Sequence, residues 1–110
     1  MNKVAMETPA DLAGLVQYQD GSVVSQTLVK EKTGTVTAFA FDAGEGLSEH
    51  KAPFDALVLG IDGRATITIA SESHSLLAGQ ILRLPADIPH SVRTEGRFKM
   101  LLIMIRSQDS

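Results

Sequence analysis

Short apolar segments with a period of two, each closed by a turn, run from Ser22 almost to the end of the chain. The first two, SVVSQTLVKE and TVTAFAFDA, are rich in Val, Thr and Phe and are separated by Lys32, Thr33 and Gly34. Such residues at this period are typical of β-strands, and we expect the two segments to pair antiparallel. After Gly21 no segment shows a sustained helical period, so the chain is predicted to be all-β.

The same pattern continues at short spacing, and eight or nine strands are predicted in total. Asp-Gly between apolar segments is a strong hairpin signal, so a hairpin is expected at Asp62 and Gly63. A second turn is predicted near Ser73 and a third break at Gly96. Strands at this spacing indicate a sandwich or a barrel. The later candidate strands read DALVLGID, RATITIASE, HSLLAG, QILRLPA, HSVRTE and FKMLLIMIR.

The length and the termini complete the domain prediction. With 110 residues the chain fits one domain spanning 1–110, with a short N-terminal extension to about Gly21 that is either a helical turn or an edge strand. Ser107–Ser110 is predicted to be a frayed tail. No apolar run approaches the roughly 18 residues that cross a bilayer, and the N-terminus does not resemble a secretory signal, so no membrane is expected and the cytoplasm is the predicted compartment.

Composition restricts the chemistry further. The chain has no cysteine, which excludes disulfides, thiolate nucleophiles and cysteine metal sites, so any metal must be held by nitrogen and oxygen. The formal net charge is -3 and the basic residues are scattered among acids. We therefore expect no nucleic-acid partner.

Two of the three histidines lie in strand and turn frames that suggest a site. His50 lies in GEGLSEHKAPFDALVLGIDG, from Gly44 to Gly63, and His90 ends GQILRLPADIPH, which begins at Gly79. Imidazole is the commonest protein metal ligand and a proton carrier near neutral pH. His50 and His90 are therefore the first candidates for ligand binding and for metal binding.

These frames resemble the two sequence motifs of the cupin superfamily between residues 44 and 94. The matching positions of the first motif are Gly44, His50 and Gly63, and those of the second are Gly79, Pro85 and His90. The resemblance implies a double-stranded β-helix, the jelly-roll barrel of small single-domain microbial cupins.

The resemblance also implies a metal held by three histidines and one Glu or Gln, and here that set is incomplete. Ala52 occupies the second histidine position and Ala56 the carboxylate or amide position, while Asp87 and Thr94 replace a glycine and an asparagine of the second motif. A divalent Zn, Fe, Mn, Ni or Cu ion would have only His50 and His90 as protein ligands. Strand alternation disfavours Asp55 and Glu49 as the missing carboxylate.

Three interpretations of the histidine pair stay open from the sequence. In the first, the rings are structural polar groups at the barrel mouth, hydrogen-bonded to the backbone or to each other. In the second, they hold a metal together with water or an unexpected ligand. In the third, they bind a small molecule directly or act in acid-base chemistry without a metal. His74 is expected on a solvent-facing strand position outside the site. Arg83 in QILRLP either points outward or binds a carboxylate or phosphate inside the barrel.

Apolar residues of the later strands give the expected core and a partner. Phe39, Phe41, Phe54 and Phe98 are predicted to be core, as are Met100 and Met104. FKMLLIMIR is apolar on both faces, so one face is expected to fill the barrel and the other to pack in a homodimer.

Function is therefore expected to be the binding of a small organic ligand in the barrel. One alternative is a metal-dependent dioxygenase, isomerase or decarboxylase acting on a small molecule. Another is a structural or regulatory dimer without pocket chemistry. The residues do not decide whether the protein is an enzyme, and they name no substrate.

Overall fold

The computed structural model describes residues 6–106, and β-strands make up most of them. The N-terminal extension, predicted to be either a helical turn or an edge strand, contains a short 3-10 turn at Leu12–Gly14. Predictions for residues 1–5 and for the tail 107–110 lie outside the described residues. The strands are β1 (Val23–Glu31), β2 (Gly34–Phe41), β3 (Gly46–His50), β4 (Asp55–Ile69), β5 (Glu72–Leu77), β6 (Ile81–Leu84) and β7 (His90–Ile105).

All strand pairs are antiparallel, and the long strands β4 and β7 pair along most of their lengths. The first half of β4 and the second half of β7 belong to a five-stranded layer with β1, β2 and β6. The second half of β4 and the first half of β7 belong to a four-stranded layer with β3 and β5. Two such layers packed face to face form the predicted jelly-roll barrel.

Glycines form the corner at which β4 passes from one layer to the other. The pairing with β7 shifts register on both sides of Asp62, and Gly63 has a φ of +74°. A Cβ at Gly63 would collide with the carbonyl oxygen of Arg97, and one at Gly60 with that of Leu77. The expected hairpin at Asp62 and Gly63 is therefore wrong, because the glycine bends the strand without reversing it.

Gly96 also lies within one continuous strand, β7. The eight named segments thus correspond to six strands, because two pairs of segments are halves of β4 and β7, and β3 is the seventh strand. The hairpin between β1 and β2 is confirmed, with Glu31 paired to Gly34. The turn between β4 and β5 falls at Ala70 and Ser71, slightly earlier than the predicted turn near Ser73.

The barrel interior is filled by side chains from both layers. Phe41, Val58, Ile67 and Phe98 have no exposed surface, and Met100 is 1% exposed. The core predictions for Phe41, Phe98 and Met100 are confirmed, and Phe39 and Met104 pack against this cluster. Phe54 is the exception, because it lies half-buried at a surface cleft.

The N-terminal segment packs on the outer face of the five-stranded layer. Val16 is buried in a second apolar cluster with Ala38 and Ala40. The Tyr18 hydroxyl donates to Asp62 Oδ2 at 2.6 Å, and the Tyr18 ring contacts the cations of Arg97 and Lys99, 5.0 and 4.8 Å from its centroid. This segment therefore covers part of the apolar outer face of β7.

Candidate functional site

His50 and His90 lie directly opposite each other at the open end of the four-stranded layer. His50 ends β3 and His90 begins β7, and the two residues pair across the strands. Their ring centroids are 4.5 Å apart, with 70° between the ring planes. His90 also pairs with Ile69, which packs against the barrel core. Because paired residues share a face, both rings lie on the inner face of the layer.

Backbone carbonyls orient both rings in the same way. His50 Nδ1 donates to the Ser48 carbonyl oxygen at 3.0 Å, and His90 Nδ1 donates to the Ile88 carbonyl oxygen at 3.3 Å. A carbonyl oxygen only accepts hydrogen bonds, so the hydrogen of each neutral ring is on Nδ1. Each Nε2 is then an unprotonated acceptor, and neither makes a hydrogen bond within residues 6–106.

The electrostatics of the pair favour the neutral form of His90. Burial of the ring lowers the pKa of His90, and the neighbouring His50 lowers it further, while the hydrogen bond to Ile88 opposes both. His90 therefore remains neutral, with its Nε2 lone pair available, at pH values where an ordinary histidine begins to protonate.

The residues at this end do not fit the metal site that the cupin motifs imply. Ala52 and Ala56 supply no donor atoms at the two remaining ligand positions. Asp55 pairs with Ile105 on the outer face, and its Oδ1 accepts a hydrogen bond from the Ala86 backbone N–H at 2.8 Å. Across the described part of the chain, no group of three His, Cys, Asp or Glu side chains could hold a metal ion.

Arg83 is not brought to the histidine pair. It pairs with Leu57, which lies between the inward-facing Ala56 and Val58 and so points to the outer face. Arg83 is exposed on that outer face. The structure thus supports the outward alternative. The alternative in which Arg83 binds a ligand inside the barrel is wrong, because the register of β6 with β4 turns the side chain away from the barrel interior.

His74 lies on the inner face, contrary to the expectation that it faces solvent outside the site. It pairs with Ile67, which has no exposed surface, and it shares its parity with the buried Leu76. His74 Nε2 lies 3.9 Å from Glu72 Oε1. The buried apolar partner at position 76 is the sequence feature that would have indicated this orientation.

The five-stranded layer contributes a mostly apolar row to the same end of the barrel. Thr35, Met104, Ala56 and Leu84 lie side by side on its inner face. The Thr35 hydroxyl is buried and has no hydrogen-bond partner within residues 6–106. Polar contacts at the open end are therefore concentrated on the opposite layer.

A surface cleft of about 340 Å³ lies beside this end, on the outer side of the segment joining β3 to β4. The residues that line it are Pro53, Phe54, Asp55, Ala86, Ile105 and Arg106. The Arg106 guanidinium lies 5.3 Å from the Phe54 ring centroid. The cleft does not include the histidine pair.

Comparison with known proteins agrees with this architecture. The sequence profile of the cupin domain matches residues 38–106. The chain belongs to the cupin family. The expected all-β jelly-roll fold is confirmed by solved relatives of this cupin. A conserved Streptococcus pyogenes protein of unknown function is 32% identical, with a TM-score of 0.92 over 97% of this chain and 94% of that one.

Two further relatives extend the comparison. A cupin superfamily protein from Desulfitobacterium hafniense is 32% identical, with a TM-score of 0.89 over 94% of this chain and 95% of that one. An uncharacterized protein of Streptomyces coelicolor is 24% identical over 82 residues, which are 74% of this cupin and 78% of the relative. Within residues 6–106, no helix is long and apolar enough to cross a membrane.

Proposed function

We propose that this cupin binds a small organic molecule at the open end of its barrel, where His50 and His90 contact it through their Nε2 atoms. The observation that carries the proposal is the pair of Nδ1 hydrogen bonds to Ser48 and Ile88, because they leave two neighbouring Nε2 acceptors on the inner face. A hydroxyl or N–H group of a ligand would donate to these atoms.

The filled interior limits how deeply such a ligand enters. Phe41, Phe98 and Met100 occupy the middle of the barrel with almost no exposed surface. The ligand therefore sits in a shallow site above Ile69, against Met104 and Ala56 of the other layer. This site needs no metal ion, because the two nitrogens bind the ligand directly.

Native mass spectrometry and metal analysis of protein purified without an affinity tag test the proposal. Wild type is compared with His50→Ala, His90→Ala and a matched control, Ser73→Ala, whose side chain bonds to Thr68 on the outer face. We expect a small molecule on wild type and the control that both histidine variants lose. Near-stoichiometric metal that disappears in both histidine variants would instead support a metal-dependent enzyme. A wild-type protein that retains no small molecule and no metal, and that binds no added alcohol or phenol, would favour a structural role.

We also propose that the chain forms a homodimer through the outer face of the five-stranded layer. Leu57 and Ile103 pair on this face. Ile81, which pairs with Leu59, and Ile105, at the end of β7, are 59% and 55% exposed. The N-terminal segment covers the part of the face around Ala38, Ala40 and Leu101. The uncovered apolar strip fits a second copy of the same strip.

A further inference from the structure

A second polar pair lies on the same inner face as the histidine pair. Glu72 and His90 both pair with Ile69, one from each side, so the three residues form a row across β5, β4 and β7. His74 is two residues from Glu72 on the same face of β5, and its Nε2 lies 3.9 Å from the Glu72 carboxylate. Ile69 thus separates two polar pairs, His50 with His90 and Glu72 with His74.

We propose that His74 and Glu72 form the second half of the ligand site, and that the ligand is an uncharged molecule with a hydrogen-bond donor at each end of an apolar middle. This inference rests on the proposed function of His50 and His90. It adds specificity-determining residues on β5, a strand that carries none of the motif positions.

The spacing of the strands sets the size of such a ligand. Glu72 and His90 are two strands apart, and neighbouring strands lie about 4.8 Å apart, so the two polar pairs are separated by roughly 10 Å. Ile69 supplies apolar contact between them. A flexible chain of about six carbons with a hydroxyl at each end matches this separation.

The charges of the side chains at both ends of the proposed site favour a ligand with hydrogen-bond donors over an anionic ligand. The Glu72 carboxylate accepts hydrogen bonds and repels a negative group. His90 donates through Nδ1 to the Ile88 carbonyl oxygen, which leaves its Nε2 as an acceptor. Lys30, which pairs with Thr35 on the edge strand β1, and Lys51, which follows His50, are both exposed. Arg106 lies over the Phe54 ring in the cleft on the outer side. Arg83, for which the sequence left an outward and an inward orientation open, lies on the outer face.

Imidazole nitrogen NMR of the full chain tests the inference, with 1,6-hexanediol as the probe. The three histidines are assigned by single substitutions, and the diol is compared with 1-hexanol, which has one donor, and with 1,3-propanediol, which is too short. We expect hexanediol to shift the signals of all three histidines. Its affinity should exceed that of hexanol about fivefold, the effect of one net hydrogen bond.

Variants on β5 separate this inference from the proposed function. The double variant His74→Ala with Glu72→Ala should reduce hexanediol affinity to that of hexanol, because no side-chain acceptor of the second pair remains. Ser75→Ala, which pairs with Thr66 on the outer face of the same strand, should leave it unchanged. Thermal melts confirm that each variant is folded.

Two results would overturn the inference in different ways. If hexanol and hexanediol shift His50 and His90 equally and leave His74 unmoved, the second half of the site is wrong while the proposed function stands. If no probe shifts any histidine, the proposed function fails as well.

Discussion

The His90 ring packs edge-on against the His50 ring, with 4.5 Å between centroids, and this contact adds to burial in lowering the pKa of His90. In the unfolded chain the His90 pKa returns to about 6.5. As pH falls below that value, the unfolded state takes up a proton that the folded state resists. The His90 contribution to stability is therefore complete above pH 6.5, declines below it and becomes constant below the folded-state pKa.

We predict that His90→Gln weakens this acid sensitivity. The free energy of unfolding should fall less for the variant than for wild type between pH 7.5 and pH 5.5, as measured by urea denaturation. Asp42 does not interfere, because the Gly21 backbone N–H and Arg97 lower its pKa to about 2. An identical pH dependence in both proteins would show that His90 is not held neutral by the fold.

Restoring the two absent donors should create a metal site. Ala56 is an inner-face residue with 6% exposure, and Ala52 lies in the segment between His50 and β4. We predict that Ala52→His with Ala56→Glu raises Zn²⁺ or Ni²⁺ affinity about a hundredfold in isothermal titration, because four protein ligands replace two. Ala43→His, at an exposed turn, is the control. No gain would mean that the inner face has been placed incorrectly.

Tyr18 anchors the N-terminal segment, and its removal should destabilise the fold. Tyr18→Phe removes only the hydrogen bond to Asp62 and should cost about 1 kcal/mol. Tyr18→Ala also removes the ring between Arg97 and Lys99, and we expect a cost of roughly 2–3 kcal/mol. Urea denaturation measures both values. Equal costs for the two variants would show that the ring contacts contribute nothing.

The dimer proposal predicts that exposed apolar side chains control assembly. In sedimentation at micromolar concentration, the wild-type protein should be a dimer. The double variant Ile81→Glu with Ile105→Lys should be a folded monomer, because both side chains are exposed on the proposed interface and are not needed for the core. Thr66→Lys, on the outer face of the four-stranded layer, is the matched control and should remain dimeric. A monomeric wild type would remove the proposal.

The sequence predicts the strands well because the apolar period of two is a local property. It fails at Asp62 and Gly63, where the same residues would suit a hairpin or a corner. The choice depends on the pairing of β4 with β7, which brings residues far apart in sequence together. Only that long-range pairing turns Gly63 into a bend between layers.

The proximity of His50 and His90 is predictable, because both occupy positions of the cupin motifs and the structure pairs them across β3 and β7. The orientations of the His74 and Arg83 side chains are harder to predict. They depend on the register of β5 and β6 with β4 rather than on the residues of these two strands. The Nδ1 hydrogen bonds lie beyond sequence reasoning altogether, since they depend on the backbone path two residues before each histidine.

Long-range proton–nitrogen NMR of the imidazole rings at pH 8, where histidine is ordinarily neutral, shows which nitrogen of each ring carries the proton. We expect His50 and His90 both to carry their proton on Nδ1, and we expect ligand binding to shift their unprotonated Nε2 signals. A proton on Nε2 of both rings would contradict this expectation, because the two acceptors that hold the ligand would then be absent.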